Sequence, residues 1–313
     1  MPARRQINFI TQYFKEIKMK KIILFTLSAL LLVMLFTGCS KKKETIVVGS
    51  KDFTEQDILG YIQWILINEH TDLNTSLVNN LNSSVIYEAI KSGDVNVYMD
   101  YTGTIYGNYF GHTEKRTPDE VFEIARAGMK DKFNILVLDR IGFNNTYTLS
   151  VRPNTAQMYN LKTLSDLAKV SQQFILGASM EFLNREDGLL GVKKVYGMEF
   201  KSEKAVDGAL RYISMENDEI QVTDAFSTDG MLLKYDLVVL EDNMEFFPPY
   251  HAAVLIRQDT AEKYPQLVKV LNMLIGKLND DSMRDLNYRV DVLQESPETV
   301  ARNFLKEAGL IKK

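Results

Sequence analysis

Hydrophobic and polar positions along this chain change period in regular blocks. Residues 45–49 are a β-branched apolar run, the pattern of a strand. Behind it, Thr54 reads as a helix N-cap with Glu55 and Asp57 in an acidic first turn. Ile58, Ile62, Ile65 and Leu66 then recur at helical spacing. A short strand around 76–78, a helix near 85–91, a strand near 95–100, a helix over 118–132 and a strand at 135–138 follow. That β-α-β-α-β order predicts an α/β lobe with a largely parallel sheet. A second lobe starts near Asn144, with strands at 147–151, 174–178, 221–225 and 237–240 and helical stretches between them. A strand at 252–256 and helical stretches at 266–278, 282–293 and 297–308 complete the pattern. The expectation is a pair of lobes, 45–143 with 250–313 and 144–249, joined by two chain crossings that act as a hinge.

The N-terminal residues follow no such pattern. Met19-Lys20-Lys21 precede an uncharged run over 22–36, which is the layout of a signal peptide and too short for a typical membrane span. Residues 1–38 thus read as a leader, with Met19 the more typical start. The run stops at Phe36-Thr37-Gly38-Cys39-Ser40, which resembles the lipobox of bacterial lipoproteins; Phe36 stands where that motif usually has Leu. The resemblance implies cleavage before Cys39, lipidation of its thiol, and a polar tether over 39–44.

Composition narrows the function classes. The chain has 313 residues, 45% hydrophobic and 25% charged, ordinary globular usage and enough to bury a core. Cys39 is the single cysteine, so no internal disulfide and no cysteine-based zinc site can form. The first 38 residues carry six basic side chains and one acid, so the remainder is more acidic than the net charge of −4 suggests. A body that acidic does not suit nucleic acid. Nucleophile-elbow, phosphate-loop, zinc-protease and dinucleotide motifs are missing, and His70, His112 and His251 share no metal-ligand spacing. Trp64 falls on the first helix beside Ile65 and reads as structural.

Aromatic residues cluster instead beside polar turns at strand ends. The segments are Gly49-Ser50-Lys51-Asp52-Phe53-Thr54-Glu55-Gln56, Asp100-Tyr101-Thr102-Gly103-Thr104, Gly142-Phe143-Asn144-Asn145-Thr146-Tyr147, Ala225-Phe226-Ser227-Thr228-Asp229-Gly230 and Phe246-Phe247-Pro248-Pro249-Tyr250. Ligands of open α/β sheets bind at strand ends, and aromatic faces attract quaternary ammonium groups. Aromatics on one side and Lys, Thr or Asn donors on the other suit a small zwitterion.

In this order, from residue 45 to the C-terminus, these segments resemble those of substrate-binding proteins of ABC importers for osmoprotectants such as glycine betaine, carnitine and choline. The resemblance implies a two-lobed, type II periplasmic-binding-protein fold with a mixed sheet in each lobe. It implies an aromatic cage from Tyr101, Tyr147, Phe226 and Tyr250, with Phe226 standing where the family's cage usually has Tyr. It implies that Lys51, Thr104 and Asn145 hold the carboxylate or position the ligand, and that Arg185, in the Arg185-Glu186-Asp187-Gly188 element, supplies a cation from the second lobe. The protein so implied is no enzyme, needs no cofactor or metal, and works as a monomer at the outer face of the cell membrane. There it hands its ligand to a membrane permease with its ATPase. An exported enzyme or a sensory ligand-binding module on the same two-lobed plan are the alternative readings.

Overall fold

A computed structural model of the chain describes residues 44–312 except 207 and 209. The leader at 1–38 and Cys39 lie outside the described residues. The β-branched run forms β1 (Thr45–Lys51), which pairs in parallel with β2 (Asn74–Leu81) and β3 (Val97–Tyr101). Next to β3 lies β10 (His251–Arg257), antiparallel to it and to β4 (Ile135–Asn144), so the sheet order is β2-β1-β3-β10-β4. The second sheet holds β5 (Tyr147–Val151), β6 (Ile175–Ala178), β7 (Ser202–Ala205), β8 (Val222–Phe226) and β9 (Val238–Val239) in the order β7-β6-β8-β5-β9. Each sheet therefore has three parallel strands followed by an antiparallel one that arrives from the other sheet. Those arrivals, β4 to β5 and β9 to β10, are the two crossings. The first sheet is largely parallel, as the alternating pattern predicts, and becomes mixed where β10 inserts antiparallel between β3 and β4.

Apolar faces explain the layering. In the helix Thr54–His70, Ile58, Leu59, Ile62, Ile65 and Leu66 are buried against one face of the first sheet, together with helices Pro265–Leu271, Asp280–Asp291 and Pro297–Glu307. The opposite face is covered by Ile86, Ile90, Phe122, Ala125 and Met129. Leu149, Val151, Leu176, Phe182 and Val222 build a separate core on the second sheet.

Two local readings change, and one strand appears that the pattern does not show. Thr54 is the first helical residue and Phe53 the cap, without a side-chain cap bond; the Thr54 hydroxyl instead donates to Asp291 Oδ1 at 2.6 Å. The stretch expected as one helix over 266–278 is the helix Pro265–Leu271 and a 3₁₀ turn Asn272–Leu274, preceded by a separate helix Gln258–Lys263; Gly276, with φ of 72°, turns the chain beyond the 3₁₀ turn. The strand β7 is an exposed polar edge, Ser-Glu-Lys-Ala, which carries no hydrophobic alternation to reveal it.

Candidate functional site

One edge of each sheet supplies the polar and aromatic turns. Parallel strands end there: β1 at Lys51, β3 at Tyr101 and β8 at Phe226. Antiparallel strands begin there, which brings Tyr147 opposite Phe226 and sets Tyr250, just before β10, near Tyr101. The strand β6 leads through Ser179, which caps the short helix Met180–Asn184, to Arg185. As a result Lys51, Tyr101, Thr104, Asn145, Tyr147, Arg185, Phe226 and Tyr250 all border a single cavity of about 540 Å³. Residues scattered over two lobes of sequence thus meet at one place.

The aromatic side of this cavity is asymmetric. Tyr147 and Phe226 stack with centroids 4.7 Å apart, and the Arg185 guanidinium lies 5.9 Å from the Tyr147 ring centre. Phe226 is 40% exposed, whereas Tyr147, at 6%, also packs on Phe182 of the second core. Tyr101 is 4% exposed; Phe53 stacks on it at 6.5 Å and the Lys51 ammonium sits 5.4 Å from its ring centre. The motif glycine Gly103 allows Tyr250 to approach. A Cβ at Gly103 would meet Pro249 O at 2.7 Å and the Tyr250 ring at 2.8 Å.

Each charged group is tied down. Lys51 Nζ donates to Asp100 Oδ1 at 2.5 Å, and Asp100 also accepts the Tyr98 and Tyr109 hydroxyls and the Tyr101 N–H. Arg185 is held as a fork by Asp187 at 2.6 Å on both oxygens and by Glu181 at 2.7 Å. This leaves the guanidinium oriented across the cavity wall with two N–H donors in hand. Burial pushes the Tyr250 hydroxyl up to about 12, so it stays protonated at physiological pH. Thr104 and Asn108 line the cavity with side chains that make no hydrogen bond to the rest of the described chain.

Glu55 is the principal residue that sequence reasoning missed. It lies inside the first quoted motif but reads there as a helix-start acid. In the fold its carboxylate is buried and accepts four side-chain donors: Tyr101 Oη at 2.6 Å, Asn145 Nδ2 at 2.9 Å, Thr228 Oγ1 at 2.6 Å and Asn287 Nδ2 at 2.9 Å. Burial raises its pKa and those four bonds oppose the rise. Asn287 and Asp291, one helical turn apart in Asp280–Asp291, also border the cavity, and no motif announces them. Burial, with Asp229 nearby, lifts the Asp291 carboxyl, while the Thr54 hydroxyl lowers it.

Comparison with known proteins decides the family. The model of the substrate-binding domain of ABC-type glycine betaine transport systems matches residues 44–307. The chain belongs to that family. Members bind a solute and do no chemistry on it, and they serve ABC importers. The carnitine transport binding protein OpuCC of Listeria monocytogenes is 34% identical, over 93% of this chain and 97% of its own. The ergothioneine transport permease/ergothioneine binding protein EgtU of Helicobacter pylori is 38% identical over 92% of this chain, which spans only 52% of that longer protein. Among solved structures, that of a glycine betaine/carnitine/choline ABC transporter component superposes with a TM-score of 0.81 at 34% identity, covering 85% of this chain and 99% of that one. Its two mixed five-stranded sheets make this a type II periplasmic-binding-protein fold.

Proposed function

We propose that this receptor closes its two lobes on a trimethylammonium zwitterion of the glycine betaine, carnitine or choline class and delivers it to a membrane permease powered by an ATPase. The observation that carries the reading is the stacked Tyr147–Phe226 pair beside Arg185 in one cavity. Ring faces attract a quaternary head that cannot donate hydrogen bonds. Tyr147, Phe226, Tyr250 and the edge of Tyr101 form the head's surroundings, and Arg185, Thr104 and the remaining Lys51 N–H donors take the carboxylate. The lobes are 45–143 with 250–313 and 144–249, hinged at the two crossings. Cleavage at Cys39 and its lipidation would tether a monomeric receptor to the outer face of the cell membrane; Cys39→Ala should then leave the precursor unprocessed or release the protein from membranes.

The experiment compares ligands with and without a carboxylate. Arg185→Gln should weaken glycine betaine by about 1.5–3 kcal/mol, roughly one to two powers of ten, because a charge-assisted hydrogen bond is lost. Choline, which has the head but no carboxylate, should change little. Equal losses for both would remove Arg185 from the carboxylate.

A second reading has its own support. The relative EgtU carries an ergothioneine-binding name, and ergothioneine is itself a trimethylammonium betaine with a heteroaromatic side chain. A cavity of about 540 Å³ lies within the range of about 300–1,000 Å³ typical for larger small-molecule ligands. The two readings share the head and differ in what lies beyond it.

A further inference from the structure

The turn after β8 belongs to the second sheet, yet a helix packed on the first sheet holds it. Arg284, in the helix Asp280–Asp291, donates to Ser227 O from Nε at 2.9 Å and from Nη2 at 2.7 Å, while Asp281 steadies its Nη1 at 2.9 Å. Three residues on, Asn287 Nδ2 donates to Thr228 O at 2.8 Å. Gly230 follows in the turn, with backbone in the ordinary right-handed helical region (φ −62°, ψ −23°), so alanine is locally permitted there. A Cβ at Gly230 would nevertheless meet Tyr288 N at 2.5 Å and Tyr288 Cα at 2.7 Å, across the lobes. The short helix Met231–Lys234 continues the contact along Asp280–Asp291. At the N-terminal end of that longer helix, Asp280 Oδ1 accepts the Asn144 N–H at 2.7 Å, at the first crossing. The contact therefore runs outward from the hinge, and a rotation that parts the lobes about the crossings has to pull its outer part open. Among the described residues that border the cavity, neither Arg284 nor Gly230 is found.

We infer that the helix Asp280–Asp291 is an interlobe clasp, fastened by Arg284 on Ser227 O and seated where Gly230 has no side chain, which biases the ligand-free receptor towards the closed arrangement. It rests on the two-lobed closure proposed above and not on the identity of the ligand. A ligand that needs both lobes binds the closed arrangement, so its apparent dissociation constant is the intrinsic one divided by the closed fraction. Loosening the clasp lowers that fraction and weakens every cavity ligand by one common factor, because no ligand contact changes. Arg284 is thus a positioning residue: it acts through the angle between the lobes.

The test combines small-angle X-ray scattering with titration calorimetry on the purified full chain and two variants. Arg284→Ala removes the fastener, whereas Gly230→Ala removes no side-chain hydrogen bond and wedges turn and helix apart; it remains informative if Arg284→Ala fails to fold. Ligand-free, each variant should show a larger radius of gyration than the wild type, and saturated with carnitine all three should coincide. Glycine betaine and carnitine should each bind either variant about threefold or more weakly than the wild type, with the two losses equal within about twofold. Ligand-free scattering identical to the wild type in both variants, or losses that differ more widely between the two ligands, would overturn the clasp while leaving the trimethylammonium reading intact. Should neither ligand bind the wild type, that reading falls, and the ligand-free scattering alone decides the clasp: expanded variants support it and unchanged ones overturn it.

Discussion

Lys51 and Asp100 form an ion pair at 2.5 Å with side chains 3% and 0% exposed, directly beneath the cavity wall. Asp100 gathers the Lys51 ammonium, two tyrosine hydroxyls and a backbone N–H, so the pair fixes the ends of β1 and β3 relative to each other. The positive charge that the sequence offers to a ligand carboxylate is thus already balanced, and what Lys51 can add is hydrogen bonds.

Removing one member of such a pair leaves the other charge buried and unpaired, which costs about 3–5 kcal/mol. Lys51→Met and Asp100→Asn should each lower the melting temperature sharply in thermal unfolding, and Lys51→Met with Asp100→Leu should recover part of the loss. A single variant that melts like the wild type would show that the pair is dispensable to the fold.

The aromatic residues separate by burial. Phe226 is 40% exposed, so Phe226→Ala should leave the melting temperature nearly unchanged while weakening a trimethylammonium ligand more than tenfold; a desolvated cation–π contact contributes about 2 kcal/mol. Phe226→Tyr keeps the ring face and should be mild. Tyr147 packs on Phe182 and Phe247 in the second core, so Tyr147→Ala should lose both affinity and about 3–5 kcal/mol of stability. Paired calorimetry and melting curves distinguish these. A Phe226→Ala protein that binds normally would take Phe226 out of the cage.

Much of this arrangement is legible in the sequence, for identifiable reasons. Strands such as β1 and β5 and the helix Thr54–His70 bury one continuous apolar set, and period alone exposes that. The turn residues Tyr101, Thr104, Tyr147, Phe226 and Tyr250 sit in short ordered motifs at strand ends, so their convergence on one cavity follows once the sheets are assembled. Glu55, Asn287 and Asp291 were hidden because helix-surface polar residues look alike in one dimension. Only packing turns Asn287 inward to 5% exposure and makes Glu55 the meeting point of four donors from distant segments. The polar edge strand β7 escaped for a related reason: its pairing with β6 is backbone hydrogen bonding, which leaves no side-chain signature.

Glu55 also leaves a pH signature. Burial raises its folded pKa above the unfolded value of about 4.3. A carboxyl raised in this way favours the folded state at low pH, and that contribution is lost as pH rises through the folded pKa. Glu55→Gln removes the titration, so its melting temperature, lower overall, should decline less than that of the wild type as pH rises from about 4 into the mildly acidic range. Parallel curves would assign the titration to another buried acid, such as Asp224 or Asp291, whose carboxyls burial also raises.

The central claim is that ring faces in this cavity hold a methylated ammonium. Affinity measured by calorimetry for carnitine and its stepwise demethylated analogues, down to the primary amine, tests it most directly. Each lost methyl exposes an N–H that keeps water and finds no acceptor on a ring face, so the account predicts saturable one-to-one binding of the trimethyl form and a fall of at least a hundredfold to the primary amine, about 2.7 kcal/mol. Equal affinity across the series, or no binding of any trimethylammonium zwitterion, would contradict it.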